Sequence, residues 1–424
     1  MNDQDRGSNY LDGWSIFLYL VLVFMGFLSI YSASHGGGSF NLDLSTNYGK
    51  QVLWIGVSIL FGAAIFLIDA RFFDVFGYWF YALTIFLLIL VLGLGTEVNG
   101  ARAWFQIGGF RLQPAEFAKF GTALALAKYL GDIDSNVRQL RQQIIAFGII
   151  AVPGILIVIQ GDAGSALVYG SLLLMLYREG MSGSILVVGI AAVSVFVCTI
   201  AFGIVAVVVG AIVLALIVYA FTYTNKKMWL YLTIVVVAIS AVSIVVSYSF
   251  EKVLQKHQQT RVEVMLGLKQ DPQGVGYNVN QSKIAIGSGG FWGKGFLNGS
   301  QTKGDFVPEQ HTDFIFSTVG EEMGWFGSFI VILTFCTFFL RLSFIAERQR
   351  NKFNRVYAYS VLCMLLFHFA VNIGMTINLA PVIGIPLPFF SYGGSSLISF
   401  TLLVFLLLRL DANRYNELDS VGHS

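Results

Sequence analysis

Ionisable groups that could do chemistry crowd one stretch of this chain, residues 303–327, KGDFVPEQHTDFIFSTVGEEMGWFG. Glu309, His311 and Asp313 stand where a polar loop enters an apolar run, and Glu321 and Glu322 follow inside that run. Asp313 directly precedes Phe314, Ile315 and Phe316. An aspartate beside an apolar wall holds its proton more tightly, because desolvation penalises the charged form, and that suits a general base. The same residue at a helix start also makes a good N-cap, and position alone does not separate the two roles. Glu321 and Glu322 lie about 12–14 Å further along the same helix. A bare charge at that depth costs at least about 2.5 kcal/mol. Both are therefore expected to be paired, structural charges, with a proton relay as the sharper alternative. Glu309, His311 and Asp313 could together touch a divalent cation, but three ligands so close in sequence, without a second cluster, are a weak metal signal.

Other polar residues sit in places that cost energy. Glu116 and Lys119 are three apart after Pro114, hence on one helix face. They read either as a local ion pair or, with Arg102 and Arg111 nearby, as part of a cationic site for a phosphate or pyrophosphate headgroup. Asp162, in QGDAGS, reads first as the N-cap of the helix that follows. His368 and Asn372, four apart in an apolar run, read as interhelical hydrogen-bonding residues. The stretch 384–396, GIPLPFFSYGGSS, carries Ser391 and Ser395 on backbone broken by Pro and Gly. Such backbone is tolerated at membrane depth only when buried in protein or lining a cavity, so it is expected to wall a site. Lys294, in the Gly-rich 287–299, joins Ser391, Ser395, Asp162, Glu309 and His311 as candidate substrate contacts. GSGG at 287–290 lacks the strand–loop–helix context of a phosphate-binding loop, and no nucleotide site is expected.

The elements that must position these groups follow from composition. The chain has 424 residues, 56% hydrophobic and 12% charged, against roughly 25% charged in soluble domains. Lipid must be its solvent. Apolar runs at 14–33, 51–68, 75–95, 115–130, 142–160, 163–178, 183–201, 203–222, 228–248, 314–340, 357–378 and 394–409 predict an all-α, polytopic bundle of about 12 spans in one membrane domain. The first run is too long for a signal peptide and has only Arg6 before it. The runs at 115–130 and 163–178 are short, with charge near one end, and are expected to be broken or to line a cavity. The cysteines Cys198, Cys336 and Cys363 fall in apolar runs and read as packing residues. A net charge of +2 gives no reason to expect a nucleic-acid partner.

Orientation follows from lysine and arginine. With the N-terminus inside, the cytoplasmic segments collect Arg71, Arg138, Arg178, Lys226, Arg341, Arg348, Arg355, Arg409 and Arg414, so both termini are expected in the cytoplasm. Residues 96–113 and 249–312 then lie outside. Within the longer of these, 252–270 mixes apolar Val253, Leu254, Val262, Met265 and Leu266 with Lys256, Arg261 and Lys269, which suits an interfacial helix.

Four stretches together resemble one family: NGARAWFQIGGFRLQPAEFAK (99–119), QGDAGSALVY (160–169), 287–324, and GIPLPFFSYGGSS (384–396). They are similar to the SEDS proteins of bacterial cell-wall synthesis, and closer to the elongation branch, RodA, than to the division branch, FtsW. The resemblance implies a peptidoglycan glycosyltransferase of the cytoplasmic (inner) membrane. It polymerises lipid II on the outer face, inverts the anomeric carbon and releases undecaprenyl pyrophosphate. It implies that the carboxylate of the HTDF motif, here Asp313, is the catalytic one. Arg102 and Lys119 would then offset pyrophosphate charge, and Glu116 would hold Lys119. It also implies a class B penicillin-binding protein and other elongation-complex membrane proteins as partners, and a divalent cation, magnesium or manganese, with ligands unassigned. Two departures stand out. Gly161 and Ala163 replace the Pro and bulkier apolar residue usual around Asp162. Family members usually have ten spans, and 183–248 is large enough for extra transmembrane helices. A lipid II flippase and a non-catalytic scaffold are the competing readings. A flippase needs charges that continue across the bilayer, and only Glu321 and Glu322 reach deeper.

Overall fold

The computed structural model describes residues 11–34, 43–98, 100–131, 138–222, 227–252, 254, 256–269 and 274–415. Arg6 and Lys226, Asn99 of the first motif, and Val253, Gln255 and Gln270 of the expected interfacial helix lie outside the described residues.

The chain opens with α1 (Gly13–Ser34), α2 (Asn47–Leu67), α3 (Ala70–Val75) and α4 (Gly77–Leu94). A small antiparallel sheet follows, β1 (Thr96–Val98), β2 (Ala101–Ile107) and β3 (Phe110–Leu112), in the order β1-β2-β3. Next come α5 (Pro114–Gly131), α6 (Leu140–Ile159), α7 (Ala163–Val168), a 3-10 turn at Tyr169–Ser171 and α8 (Leu172–Arg178). Then come α9 (Gly183–Thr222), α10 (Met228–Lys252), α11 (Lys256–Met265), α12 (Val275–Ser288) and α13 (Ser300–Lys303). α14 (Ile315–Glu347), α15 (Lys352–Thr376) and α16 (Gly394–Ala412) complete the order.

Among the described residues, nine helices are long and apolar enough to cross a membrane. One of them, α9, has 40 residues, and a straight helix of that length would run about 60 Å, twice the hydrocarbon core. Gly203 (φ 81°, ψ 162°) breaks it, at the boundary between the two expected runs. α5 supplies a continuous helix for one of the short runs, and the 3-10 turn interrupts the other. Every expected run thus carries a helix, and the chain is an all-α multi-pass membrane protein.

Two expectations change. The stretch expected as a loop at 96–113 carries the three strands instead, and Gly108 (φ 59°) and Gly109 make the two-residue turn that pairs Ile107 with Phe110. Residues 249–312 are not one long loop. α10 continues to Lys252, and α11, α12 and α13 follow, with α11 covering only the middle of the expected interfacial helix.

Two compact units divide the chain. The first is Met1–Met181, Asn280–Ile377 and Ile383–Ser424; the second is Ser182–Val279 with Asn378–Val382. In the second, α9 and α10 bury almost nothing but Thr199, Ser243 and Phe250, with Thr199 Oγ1 donating to Ser243 Oγ at 3.2 Å. In the first unit the core is α5, α15 and α16. The most apolar window of α16 is 83% buried and that of α15 61%, against 0% for α9. α15 and α16 are therefore enclosed by the rest of the chain, and α9 is not.

Ion pairs gather where α1 begins and where α14 and α16 end. Arg341 binds Asp12, Arg348 binds Asp411, and Arg414 reaches Asp411 at 2.7 Å. Arg355 pairs with Glu179 at 2.8 Å, joining the start of α15 to the end of α8. Burial alone would raise the Asp12 carboxyl, but hydrogen bonds from Arg341 and Ser15 outweigh it and hold it at about 2.

Candidate active site

Asp313 lies in a turn ahead of α14 and is half-buried. The turn is shaped by Glu309, whose φ of 55° is left-handed. The Glu309 carbonyl accepts from Thr312 N at 3.1 Å and from Phe314 N at 3.2 Å, closing the loop around 310–313. The N-cap position of α14 falls on Phe314, which makes no side-chain cap bond.

The broken stretch 384–392 is laid against this turn. Tyr392 N donates to His311 O at 2.9 Å, and Ser391 Oγ donates to Thr312 O at 2.6 Å while accepting from Leu387 N at 2.9 Å. Asn372, fully buried on α15, donates to Asp313 O at 2.9 Å and to Ile385 O at 2.8 Å. Gly384 has φ 70°, and a Cβ built on it would lie 3.3 Å from Asp313 Oδ2. The wall expected from the Pro/Gly pattern is therefore fastened to the catalytic candidate. Ser391 acts within it as a bridge between two backbone segments. His311 stacks obliquely on Tyr392, ring centroids 5.6 Å apart. Burial lowers the His311 pKa, opposed by the Glu309 and Asp305 carboxylates. Glu309 itself is exposed and accepts from Thr312 Oγ1 at 3.0 Å.

The far end of the same stretch meets the sheet. Ser395 Oγ donates to Arg111 O at 3.2 Å and accepts from Gln113 N at 3.2 Å. Gln113 Nε2 donates to Asp162 Oδ2 at 2.7 Å. Asp162 caps α7, accepting from Ser165 N at 3.0 Å. Gln113 went unread in the sequence; its place directly before the helix-starting Pro114 was the available signal. Arg102 is exposed on β2 and its amide donates to Gln160 O at 2.9 Å. A cavity of about 180 Å³ opens here, lined by Trp54, Phe110, Arg111, Phe117, Ser395 and Ile398 among others.

Of the two readings of Lys119 and Glu116, the local ion pair is the one this structure forms. Lys119 is 1% exposed and Glu116 2%, so in this structure neither meets an open surface where a headgroup would sit. Lys119 Nζ is 2.8 Å from Glu116 Oε2 and 3.0 Å from His368 Nε2, and lies 4.6 Å over the Phe400 ring. A lysine ammonium offers only donors, so Nε2 accepts and the ring proton is on Nδ1, which donates to Pro386 O at 3.2 Å.

Glu321 and Glu322 are bound into the scaffold. Glu321 accepts from Lys294 Nζ at 2.7 Å, from the amides of Gln301 and Thr302 at 2.8 Å each, and from Thr302 Oγ1 at 2.7 Å. Lys294 also donates to Ser300 Oγ at 2.7 Å, so its ammonium is held by two protein partners. Glu322 accepts from Ser32 Oγ. Just beyond, Gly324 (φ 65°, ψ −161°) breaks α14. The carbonyls of Glu321 and Glu322 lose their helical partners, Trp325 N and Phe326 N. They accept instead from Lys294 N at 3.0 Å and Gly295 N at 2.9 Å, while Trp325 N and Phe326 N donate to Gly290 O and Phe291 O. The Gly-rich loop thus repairs the break, and the two glutamates form no continuing path of free charge.

Among the described residues, no three His, Cys, Asp or Glu side chains are grouped to hold a metal. Glu309, His311 and Asp313 therefore do not assemble a protein-only metal site.

The FtsW/RodA/SpoVE family profile, described as cell cycle protein, matches residues 13–208 and 202–416. This chain belongs to that family. The two matched stretches overlap at the Gly203 break in α9. Peptidoglycan glycosyltransferase RodA of Treponema pallidum (strain Nichols) is 32% identical over 436 residues, covering 96% of this chain and 99% of that protein. Peptidoglycan glycosyltransferase MrdB of Escherichia coli (strain K12) is 31% identical over 390 residues, covering 92% and 90%. Among solved structures, a chain of a peptidoglycan synthase complex that coordinates polymerization and crosslinking matches with a TM-score of 0.68 and 26% identity, covering 96% of this chain and 98% of that one. The rod shape determining protein RodA of Thermus thermophilus shares the fold, with a TM-score of 0.61 at 24% identity and the same coverage.

Proposed function

We propose that this family member is a peptidoglycan glycosyltransferase that polymerises lipid II into glycan strands, with Asp313 as the general base. The observation that carries the assignment of the base is the position of Asp313, half-buried in a turn whose main chain is tied to 384–392 by Asn372, Ser391 and Tyr392. A base works when its carboxylate is held within hydrogen-bond reach of the proton it takes.

In the reaction, the sugar 4-hydroxyl of one lipid II attacks the anomeric carbon at the end of the growing strand. The new C–O bond forms as the bond to undecaprenyl pyrophosphate breaks, with inversion. The hydroxyl proton passes to Asp313, and the pyrophosphate leaves as the anion. Arg102, exposed on β2, and Arg111, lining the nearby cavity, are the cations open to a pyrophosphate. The buried Glu116–Lys119 pair acts on the site from behind. A divalent cation, magnesium or manganese, would be held chiefly by pyrophosphate oxygens, as such ions commonly are.

The ion-paired end, with Asp12, Arg341, Arg348 and Asp411, faces the cytoplasm, which leaves both termini inside and Asp313 on the outer face. A class B penicillin-binding protein and other elongation-complex membrane proteins are its proposed partners. The test is polymerisation of purified lipid II by the protein alone and with its cognate transpeptidase. Wild type yields glycan polymer; Asp313→Ala yields none while still folding and binding its partner. Polymer made at the wild-type rate by Asp313→Ala would refute the assignment. Lipid II moved across vesicles, without polymer, would favour a transporter.

A further inference from the structure

α15 touches the site from one side at two points one helical turn apart. His368 and Asn372 both direct ring or amide N–H groups at consecutive carbonyls of the broken stretch, Pro386 O at 3.2 Å and Ile385 O at 2.8 Å. These carbonyls lie outside any helix or strand, so side chains must satisfy them. Asn372 uses its second N–H on Asp313 O at 2.9 Å. One buried amide thereby clamps two segments distant in sequence, the turn that carries the carboxylate and the wall that meets it at Gly384. His368 is itself fixed on its other nitrogen by Lys119, and Lys119 by Glu116. One set of hydrogen bonds thus runs from a buried ion pair on α5 through His368 to Pro386 O, a second runs from Ile385 O through Asn372 to Asp313 O, and the peptide bond between Ile385 and Pro386 joins them.

We propose that Asn372 and His368 are positioning residues for Asp313, and that the buried Glu116–Lys119 pair serves the reaction by orienting His368 rather than by touching the substrate. The proposal rests on Asp313 being the base. Rotation of either side chain would remove one of the two ties between α15 and 385–386 and loosen the spacing of the carboxylate from the wall. Misplacement of a reacting group by about 1 Å can cost on the order of 10²-fold in rate. The loss should fall on turnover, because the same backbone shift leaves Arg102 and Arg111 in place to hold the substrate.

The experiment uses the full chain in detergent or lipid with lipid II as substrate. Asn372→Asp keeps the shape of the side chain and replaces its two donors with an oxygen that faces two carbonyls. His368→Gln keeps an acceptor for Lys119 and loses the ring N–H to Pro386. We expect each variant to lower kcat at least about tenfold with KM for lipid II within about twofold, the signature of a group needed only at the transition state. Amide hydrogen exchange should rise in peptides spanning 309–316 and 384–391, while the rest of α14 and α15 keeps its protection. Unchanged kcat in a folded variant would overturn the proposal, as would lost turnover without faster exchange in those two segments. If Asn372→Asp fails to fold, His368→Gln carries the same readouts. Polymer from Asp313→Ala would remove the reading beneath the proposal, an outcome separate from normal turnover in the α15 variants.

Discussion

Gly384 faces the Asp313 carboxylate: a Cβ at that position would be 3.3 Å from Oδ2. The approach joins the turn before α14 to the wall before α16, and a side chain there would push the carboxylate back by a few tenths of an ångström. Gly384→Ala would crowd the carboxylate and force an L-residue to φ 70°, a strain of roughly 1–2 kcal/mol. We expect folded protein with kcat for lipid II polymerisation reduced at least about tenfold and KM little changed. Wild-type turnover in the alanine variant would show that the wall does not set the position of the base.

The Glu116–Lys119 pair is enclosed by α5, α15 and α16. Removing one member strands a buried charge, at a cost of about 3–5 kcal/mol. Lys119→Met and Glu116→Gln alone should therefore each lower the unfolding midpoint sharply, and the double variant should recover most of the loss. The recovered protein should still polymerise poorly, because His368 has lost the donor that orients it. Single variants as stable as wild type would mean that the pair is solvated.

Gly324 adopts φ 65° and ψ −161° inside α14, a region essentially closed to other residues, with strain of about 1–3 kcal/mol. A Cβ there would also collide with the Gly293 amide. Gly324→Ala should lower the yield of folded protein and expose the 289–295 loop to proteolysis. Normal yield with an intact loop would argue that α14 tolerates a straight path.

His311 makes stability depend on pH. Burial depresses its pKa, with Glu309 and Asp305 opposing. Below the ordinary histidine value of about 6.5 the unfolded chain takes up a proton that the native state resists. Stability should therefore be full above that value and fall as pH drops toward the depressed folded value. Unfolding midpoints measured from neutral to mildly acidic pH should decline for wild type and decline less for His311→Gln. Superimposable profiles would contradict the assigned burial.

Much of the architecture was legible in the sequence because lipid imposes a simple rule. Apolar runs must become helices to satisfy their own backbone, and so the boundary between 201 and 203 appears as the Gly203 break. The sheet at 96–112 was not legible as such, although the Gly108–Gly109 pair between alternating residues was its signal. The residues of the candidate site were legible by type. Charges near membrane depth are costly, and Asp313, Glu116, Lys119 and Glu321 stood out on that ground.

Which of those charges is open to a substrate was decided by tertiary structure. Lys119 and Arg102 are both cations near the start of α5, yet one is enclosed by α5, α15 and α16 while the other is exposed on a strand. Glu321 and Asp313 are both carboxylates in one stretch, yet Glu321 is saturated by Lys294, Gln301 and Thr302 across a kink. By itself the sequence determined where apolar helices form and where charge is concentrated, because both depend on residue type and local spacing. Only the fold decided which partners reach each charge, because His368, Asn372 and Gly384 come to Glu116, Lys119 and Asp313 from far along the chain, and that encounter depends on how the helices pack.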